Sequence, residues 1–184
     1  MPSARNALVA LLCLVACAPA RLSAQESAAQ ATARTAYAAG VEAYGGGEYE
    51  RARNHFTLAE NQFPSPNIEL MLGRSLIKLE RLVEAHRMLT QARDNAGQMP
   101  KYANAASAAR EELAELDKRV AVLHLRVAEP HGDETLRVGG ELLAPIAWAS
   151  PIIVPAGKLR VELARPGVPA QVKDLALAPG GRAS

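Results

Sequence analysis

The residues of this chain that could do chemistry are few and scattered. Four histidines stand at 55, 86, 124 and 131. A metal site needs His, Cys, Asp or Glu gathered at short, regular spacing, and none of the four has such neighbours. The expectation is no metal and no cofactor. General acid–base work needs two carboxylates facing each other across a pocket. Glu111-Glu112 are adjacent in a helical pattern and point apart, while Asp133-Glu134 falls in a predicted turn. Gly45-Gly46-Gly47 lacks the Lys-Ser/Thr of a phosphate loop and follows no strand, so it reads as a turn. Ser107 and Ser150 stand in no nucleophile motif. Trp148, the only Trp, sits in "APIAWASP". It offers a ring for stacking a sugar or partner, or for packing at an edge. No enzyme is expected.

Both cysteines, Cys13 and Cys17, lie near the start, within "MPSARNALVALLCLVACAPARLSAQ". Arg5 precedes an apolar run, Ala7 to Ala18, that is short for a bilayer span of roughly 20 residues but suits a secretory signal. Residues 1–24 are read as that signal and 25–33 as a tether. Cleavage after Ala20 or Ala24 is one outcome. The other rests on Leu14-Val15-Ala16-Cys17, which resembles a bacterial lipobox; Cys17 would then be acylated and hold the chain at a membrane. Either way the later chain has no disulfide, and no later stretch is apolar enough to cross a membrane.

The elements that would position a site must come from the remaining 34–184. Net charge is +2 over 184 residues, which gives no support to nucleic-acid binding. Aromatics make up only 4% while Ala is abundant, which favours a helical, alanine-packed part. A shift of the sequence by 33 residues aligns Gly40 with Gly73, Ala52 with Ala85, Thr57 with Thr90 and Ala59 with Ala92. Phe56 then falls on Leu89, and Tyr49 on Leu82. The three glycines end a first helix. Tyr49, Ala52, Phe56 and Ala59 follow on one face of a second. Pro64 and Pro66 stop it. A unit of helix, tight turn, helix, turn repeats twice.

That unit resembles a tetratricopeptide repeat, on Gly40, Gly47, Tyr49, Ala52, Phe56, Ala59 and Pro64. The second unit keeps Leu72-Gly73, Leu82, Ala85, Leu89 and Ala92. Its inner turn, Leu79-Glu80-Arg81, has no Gly, and Gly97 stands where the Pro is expected. A third helical stretch, 101 to about 121, carries the stripe Tyr102, Ala105, Ala106, Ala109, Leu113, Leu116 and Val120, with Glu115 and Arg119 read as an ion pair on its other side. It would cap the array.

After Val120 the period changes to two. Leu123, Leu125 and Val127 alternate with His124 and Arg126, and Leu159, Val161 and Leu163 alternate with Lys158, Arg160 and Glu162. Together with "ETLRVGGELL", "PIIVPAG" and "VKDLALAPGG", these predict a small antiparallel β-sandwich over 122–184. Its order of Gly and Pro turns resembles the PEGA family of extracytoplasmic β-domains, with "EPHGDETLRVGG" in place of the eponymous motif. The fold class expected is α+β: helical hairpins over 34–121 (two repeats and a capping helix), then the sandwich, which should lean on that helix.

The tetratricopeptide resemblance implies a concave groove lined by the first helix of each pair. Carried onto this sequence, it names Arg34, Tyr37, Val41 and Tyr44, then Asn67, Leu70, Arg74, Ile77 and Lys78, then Ser107, Arg110 and Glu111. Such a groove would be aromatic and aliphatic with a basic rim, suited to a protein or peptide ligand with acidic residues. Val41 stands where the family's carboxylate clamp has Asn. The resulting expectation is a non-catalytic adaptor, exported to the periplasm or anchored as an outer-membrane lipoprotein of a Gram-negative bacterium. The alternative is a cell-envelope module whose β-domain contacts glycan or peptidoglycan through Trp148 and the loop of residues 129–134.

Overall fold

The structure is a computed structural model that describes residues 18–97, 99–127 and 132–184, with side chains from residue 28 onward. The lipobox with Cys17, and His131, lie outside the described residues. Five helices come first: α1 (Ala18–Gly45), α2 (Tyr49–Gln62), α3 (Pro66–Lys78), α4 (Leu82–Ala96) and α5 (Ala103–Leu116). Residues 25–33, read as a tether, are already part of α1. The hydroxyls of Thr32 and Thr35 donate to the carbonyls of Ala28 and Ala31 one turn back, so these polar residues are compatible with the helix.

The helices pack as pairs, α1 on α2 and α3 on α4, with α5 against α4 and α3. Alanine-sized residues permit this. Ala52, Phe56, Ala59, Ala85, Leu89 and Ala92 have no exposed surface. Closest approach occurs at Gly40 and Gly73. A Cβ on Gly40 would lie 2.6 Å from the Phe56 ring, and one on Gly73 2.8 Å from a Leu89 methyl. Both pairs are separated by 16 residues in sequence and displaced from each other by 33. Tyr49 and Leu82, expected between the helices, are only half-buried because each opens a helix beside its turn.

The turns inside the two hairpins have the same backbone although their sequences differ. The amides of Gly46, Gly47 and Glu48 donate to the carbonyls of Glu42, Tyr44 and Ala43; those of Leu79, Glu80 and Arg81 donate to Ser75, Ile77 and Leu76. Every partner is offset by 33. Gly47 has φ +77°, where glycine is at ease, and Glu80 takes φ +58° at the matched position. A side chain there costs about 1–2 kcal/mol. The helix starts match as well: Glu48 has φ −82°, ψ 62° and Arg81 φ −86°, ψ 62°. Even the surface ion pair repeats with its sign reversed, Glu48–Arg51 at 3.1 Å and Arg81–Glu84 at 2.7 Å.

α5 ends at Leu116, earlier than the apolar stripe suggested, because residues 117–119 form a turn and Val120 begins a strand. The expected Glu115–Arg119 pair does not form. Glu115 bonds Lys118 at 2.7 Å, and Arg119 reaches Glu80 at 2.6 Å in the α3–α4 turn.

Seven strands follow among the described residues: β1 (Val120–Leu123), β2 (Thr135–Val138), β3 (Glu141–Leu143), β4 (Ile152–Pro155), β5 (Gly157–Arg165), β6 (Val168–Leu177) and β7 (Arg182–Ala183). One sheet, β3-β2-β5-β6, is antiparallel; the other, β4-β1-β7, is mixed. The parallel member is β7, which returns beside β1 after Gly180, whose amide donates to the Val120 carbonyl at 2.7 Å. Ala121, Leu123 and Val154 of the mixed sheet meet Leu159 and Leu177 of the antiparallel sheet in one core. Val120 points the other way, into the helical core with Leu116. The mixed sheet is thus a middle layer between helices and outer sheet, and strand alternation puts Val120 and Ala121 on its opposite faces.

Candidate functional site

Arg34, Tyr37 and Asn67 come together at one end of the helical array. They line a hollow of about 300 Å³ with Phe63, Ile68 and Tyr102, and among the described residues Arg34 is the one charged side chain in its wall. Among the described residues Arg34 forms no ion pair, and it is exposed. Tyr37 is half-buried and its ring stands 5.6 Å from that of Phe56, so its inner edge is held by the core. Phe63 and Tyr102 escaped the sequence reading. Phe63 stands just before the Pro64 that ends its helix, and Tyr102 belongs to the apolar stripe of the third helical stretch.

A second hollow, about 230 Å³, lies at the other end of α3, where Ile77 meets Glu111, Glu112, Glu115 and Arg119. Between the two along α3 stands Arg74. Its Nε donates to Glu112 at 2.7 Å, which neutralises it and ties α3 to α5. The rim is therefore not uniformly basic: it is cationic at Arg34 and acidic around Glu111 and Glu115. Leu70 is a correction to the groove set. It is buried in the core, because α3 is the central helix and is covered by α2, α4 and α5. Val41, Lys78, Ser107 and Arg110 are exposed. Lys78 Nζ lies 6.0 Å from the Tyr49 ring centroid, and Tyr44 stacks edge-on against Tyr49 at 5.4 Å. Ser107 donates to Glu111 at 3.2 Å.

Of the acids and histidines weighed for chemistry, Glu111, Glu112, Glu134 and His86 have structural partners. Glu134 is buried, accepts from the Gly132 amide at 2.9 Å and lies 3.2 Å from Arg165, whereas Asp133 is exposed. His86 Nε2 is 3.0 Å from an Asp117 oxygen. Trp148 is half-buried, and its indole N–H donates to the Leu143 carbonyl at 3.1 Å. Among the described residues no three His, Cys, Asp or Glu side chains gather as metal ligands, and no helix is long and apolar enough to cross a membrane.

One charged cluster was invisible in the sequence. Glu60 of α2 and Glu69 of α3 meet carboxyl to carboxyl, and the Asn95 side-chain amide of α4 donates to Glu69. Glu69 is 1% exposed. Burial, and next the charge of Glu69, push the Glu60 carboxyl up to about 7. Glu69 is also raised, by burial, against the opposing pull of Asn95. The two residues are nine apart and read as ordinary helix-surface acids; only the docking of one hairpin on the next brings them together.

Compared with known protein families, curated proteins and solved structures, the chain matches none.

Proposed function

We propose that the helical part is a short tetratricopeptide-type array and that the chain is a non-catalytic, protein-binding adaptor. In this reading it seats an acidic peptide segment in the hollow beside Arg34. The 33-residue equivalence of turns, helix starts and glycine notches supports the repeat assignment. The observation that carries the binding site is Arg34, an exposed cation without an ion pair among the described residues, set at an aromatic hollow. Arg and Tyr dominate binding energy at such anchors because they combine apolar area with directed hydrogen bonds. A volume of about 300 Å³ admits one or two side chains rather than a whole small protein surface. The PEGA-like β-part serves as spacer, and export with acylation at Cys17 places the adaptor at the envelope of a Gram-negative bacterium.

Arg74 and Lys78 are poor probes of this site. Arg74→Glu would press a second carboxylate against Glu112 and disturb α3–α5 packing, and Lys78 is remote from the hollow. Arg34→Glu is the clean substitution. Against a fluorescent library of short peptides that pair an acidic with an aromatic residue, it is expected to weaken the best binder by about tenfold or more, roughly 1.4 kcal/mol. Lys78→Glu should change affinity less than about twofold. Equal loss from both variants would indicate general charge attraction and refute the anchor. The anchoring part of the reading is checked by intact mass of protein extracted from bacterial membranes. A chain beginning at Cys17 with added acyl mass agrees with it, and a chain beginning at Arg21 or Gln25 does not.

A further inference from the structure

The acids between the hairpins, Glu60 half-buried and Glu69 buried, lie outside the lining of the peptide hollow, and their arrangement is asymmetric. Glu60 stands in the last turn of α2, whose unpaired carbonyls carry partial negative charge. Glu69 stands near the start of α3, where amide dipoles favour an anion. Asn95 of α4 directs its amide hydrogen at Glu69, not at Glu60. One oxygen of each carboxyl, Oε2, is buried without another hydrogen-bond partner. Among the described residues no cation acts on the pair: Arg34 on α1 borders the hollow at Ser65, Arg93 on α4 is held by Asp94 at 2.7 Å, and Arg53 on α2 by Glu50 at 2.8 Å. The Ser65 backbone, at the cap of α3, donates to Glu60 and opposes the rise. Two anions in contact, one buried and one half-buried, repel each other because water screens them poorly there. A carboxylic acid donating to a carboxylate removes the repulsion and satisfies an oxygen that otherwise lacks a donor.

We propose that Glu60 and Glu69 share one proton at the seam between the two hairpins, carried on Glu60 and donated to Glu69, and that its loss loosens the first hairpin from the second. The seam is thereby a pH-sensitive joint. The sign follows from linkage. The folded chain holds this proton up to about pH 7, whereas an unfolded glutamate releases it near its ordinary 4.5. Between those values the unfolded state binds fewer protons, so stability falls as pH rises and levels off once Glu60 is ionised. The proton is present, and the joint tight, on the acidic side.

The test is the thermal midpoint of the whole chain between about pH 5 and about pH 8. The wild type is expected to lose roughly 3–6 °C over that range. E60Q supplies a permanent amide donor and should match the wild type at the acid end, exceed it at the alkaline end, and show little slope. A wild-type midpoint that does not fall, or an E60Q slope equal to the wild type's, overturns the proposal. Should E60Q fail to fold, carbon-13 titration of the wild-type glutamate carboxyls decides instead. A Glu60 midpoint near 7 supports the shared proton, and one at the ordinary carboxylate value refutes it. Repeating the alkaline melts with calcium, magnesium or EDTA adds a last check. Stabilisation by a cation that EDTA reverses and E60Q abolishes would mean a metal ion, not a proton, joins the pair.

Discussion

Phe56→Ala is expected to lower the unfolding free energy by about 3–5 kcal/mol. The ring has no exposed surface, packs at 5.6 Å from Tyr37, and fills a notch that Gly40 leaves open in α1. The core that it belongs to includes Ala33, Ala36, Ala43, Ala52 and Ala59, all buried and small. Short side chains cannot swing into the vacated space, so the cavity persists, and the cost belongs at the upper part of the usual range. Urea unfolding followed by far-ultraviolet circular dichroism measures it. Leu58→Ala, on the same helix and 45% exposed, is the control and should stay within about 0.5–1 kcal/mol of the wild type. A loss below about 1 kcal/mol for Phe56→Ala would mean that the hairpin core is not packed as described.

The converse change is the second large effect. Gly40→Ala and Gly73→Ala each add one carbon at a place with no room, 2.6 Å from the Phe56 ring and 2.8 Å from Leu89 Cδ2. Helix propensity alone would make alanine better than glycine by about 1 kcal/mol. Overpacking costs typically 1–3 kcal/mol and should prevail, because Phe56 and Leu89 are wholly buried and have nowhere to shift. A net destabilisation of roughly 1–2 kcal/mol is expected for each. Gly45→Ala, with nothing within 4 Å of the added carbon, should be neutral or stabilising. Shortening the opposing side chain gives a coupling check: in a Phe56→Leu background Gly40→Ala should cost less than in the wild type. Additive losses would show that the glycine is needed for some reason other than the approach of the two helices.

Both expectations rest on features that could be read before any coordinates, and the success is uneven in an instructive way. The 33-residue offset pointed to Gly40, Gly73, Phe56 and Leu89 as matched positions, and they proved to be matched contacts. The offset also held where identity had vanished. Glu80 adopts the backbone of Gly47, and Arg81–Glu84 mirrors Glu48–Arg51 with reversed charge. Turn geometry here is imposed by the packing of the flanking helices, which tolerates an unfavourable residue at a cost smaller than that of displacing them. The candidate site was less legible. The tetratricopeptide resemblance placed Leu70 and Arg74 in a groove, but whether such a face is open or covered depends on how α5 and α4 lie across α3.

From the order of amino acids alone came the α+β class, the hairpins, the change from a helical to a strand period near Val120, and the lack of a nucleophile or metal motif. These are local matters: periodicity, small residues and Gly/Pro punctuation act over a few neighbours. Tertiary structure alone decided that Arg34 borders an aromatic hollow, that Arg74 is spent on Glu112, that β7 returns parallel to β1, and that Glu60 finds Glu69. Each depends on the approach of segments brought together by burial of a common core, and the energy of such approaches has no signature in the spacing of residues along one strand or helix.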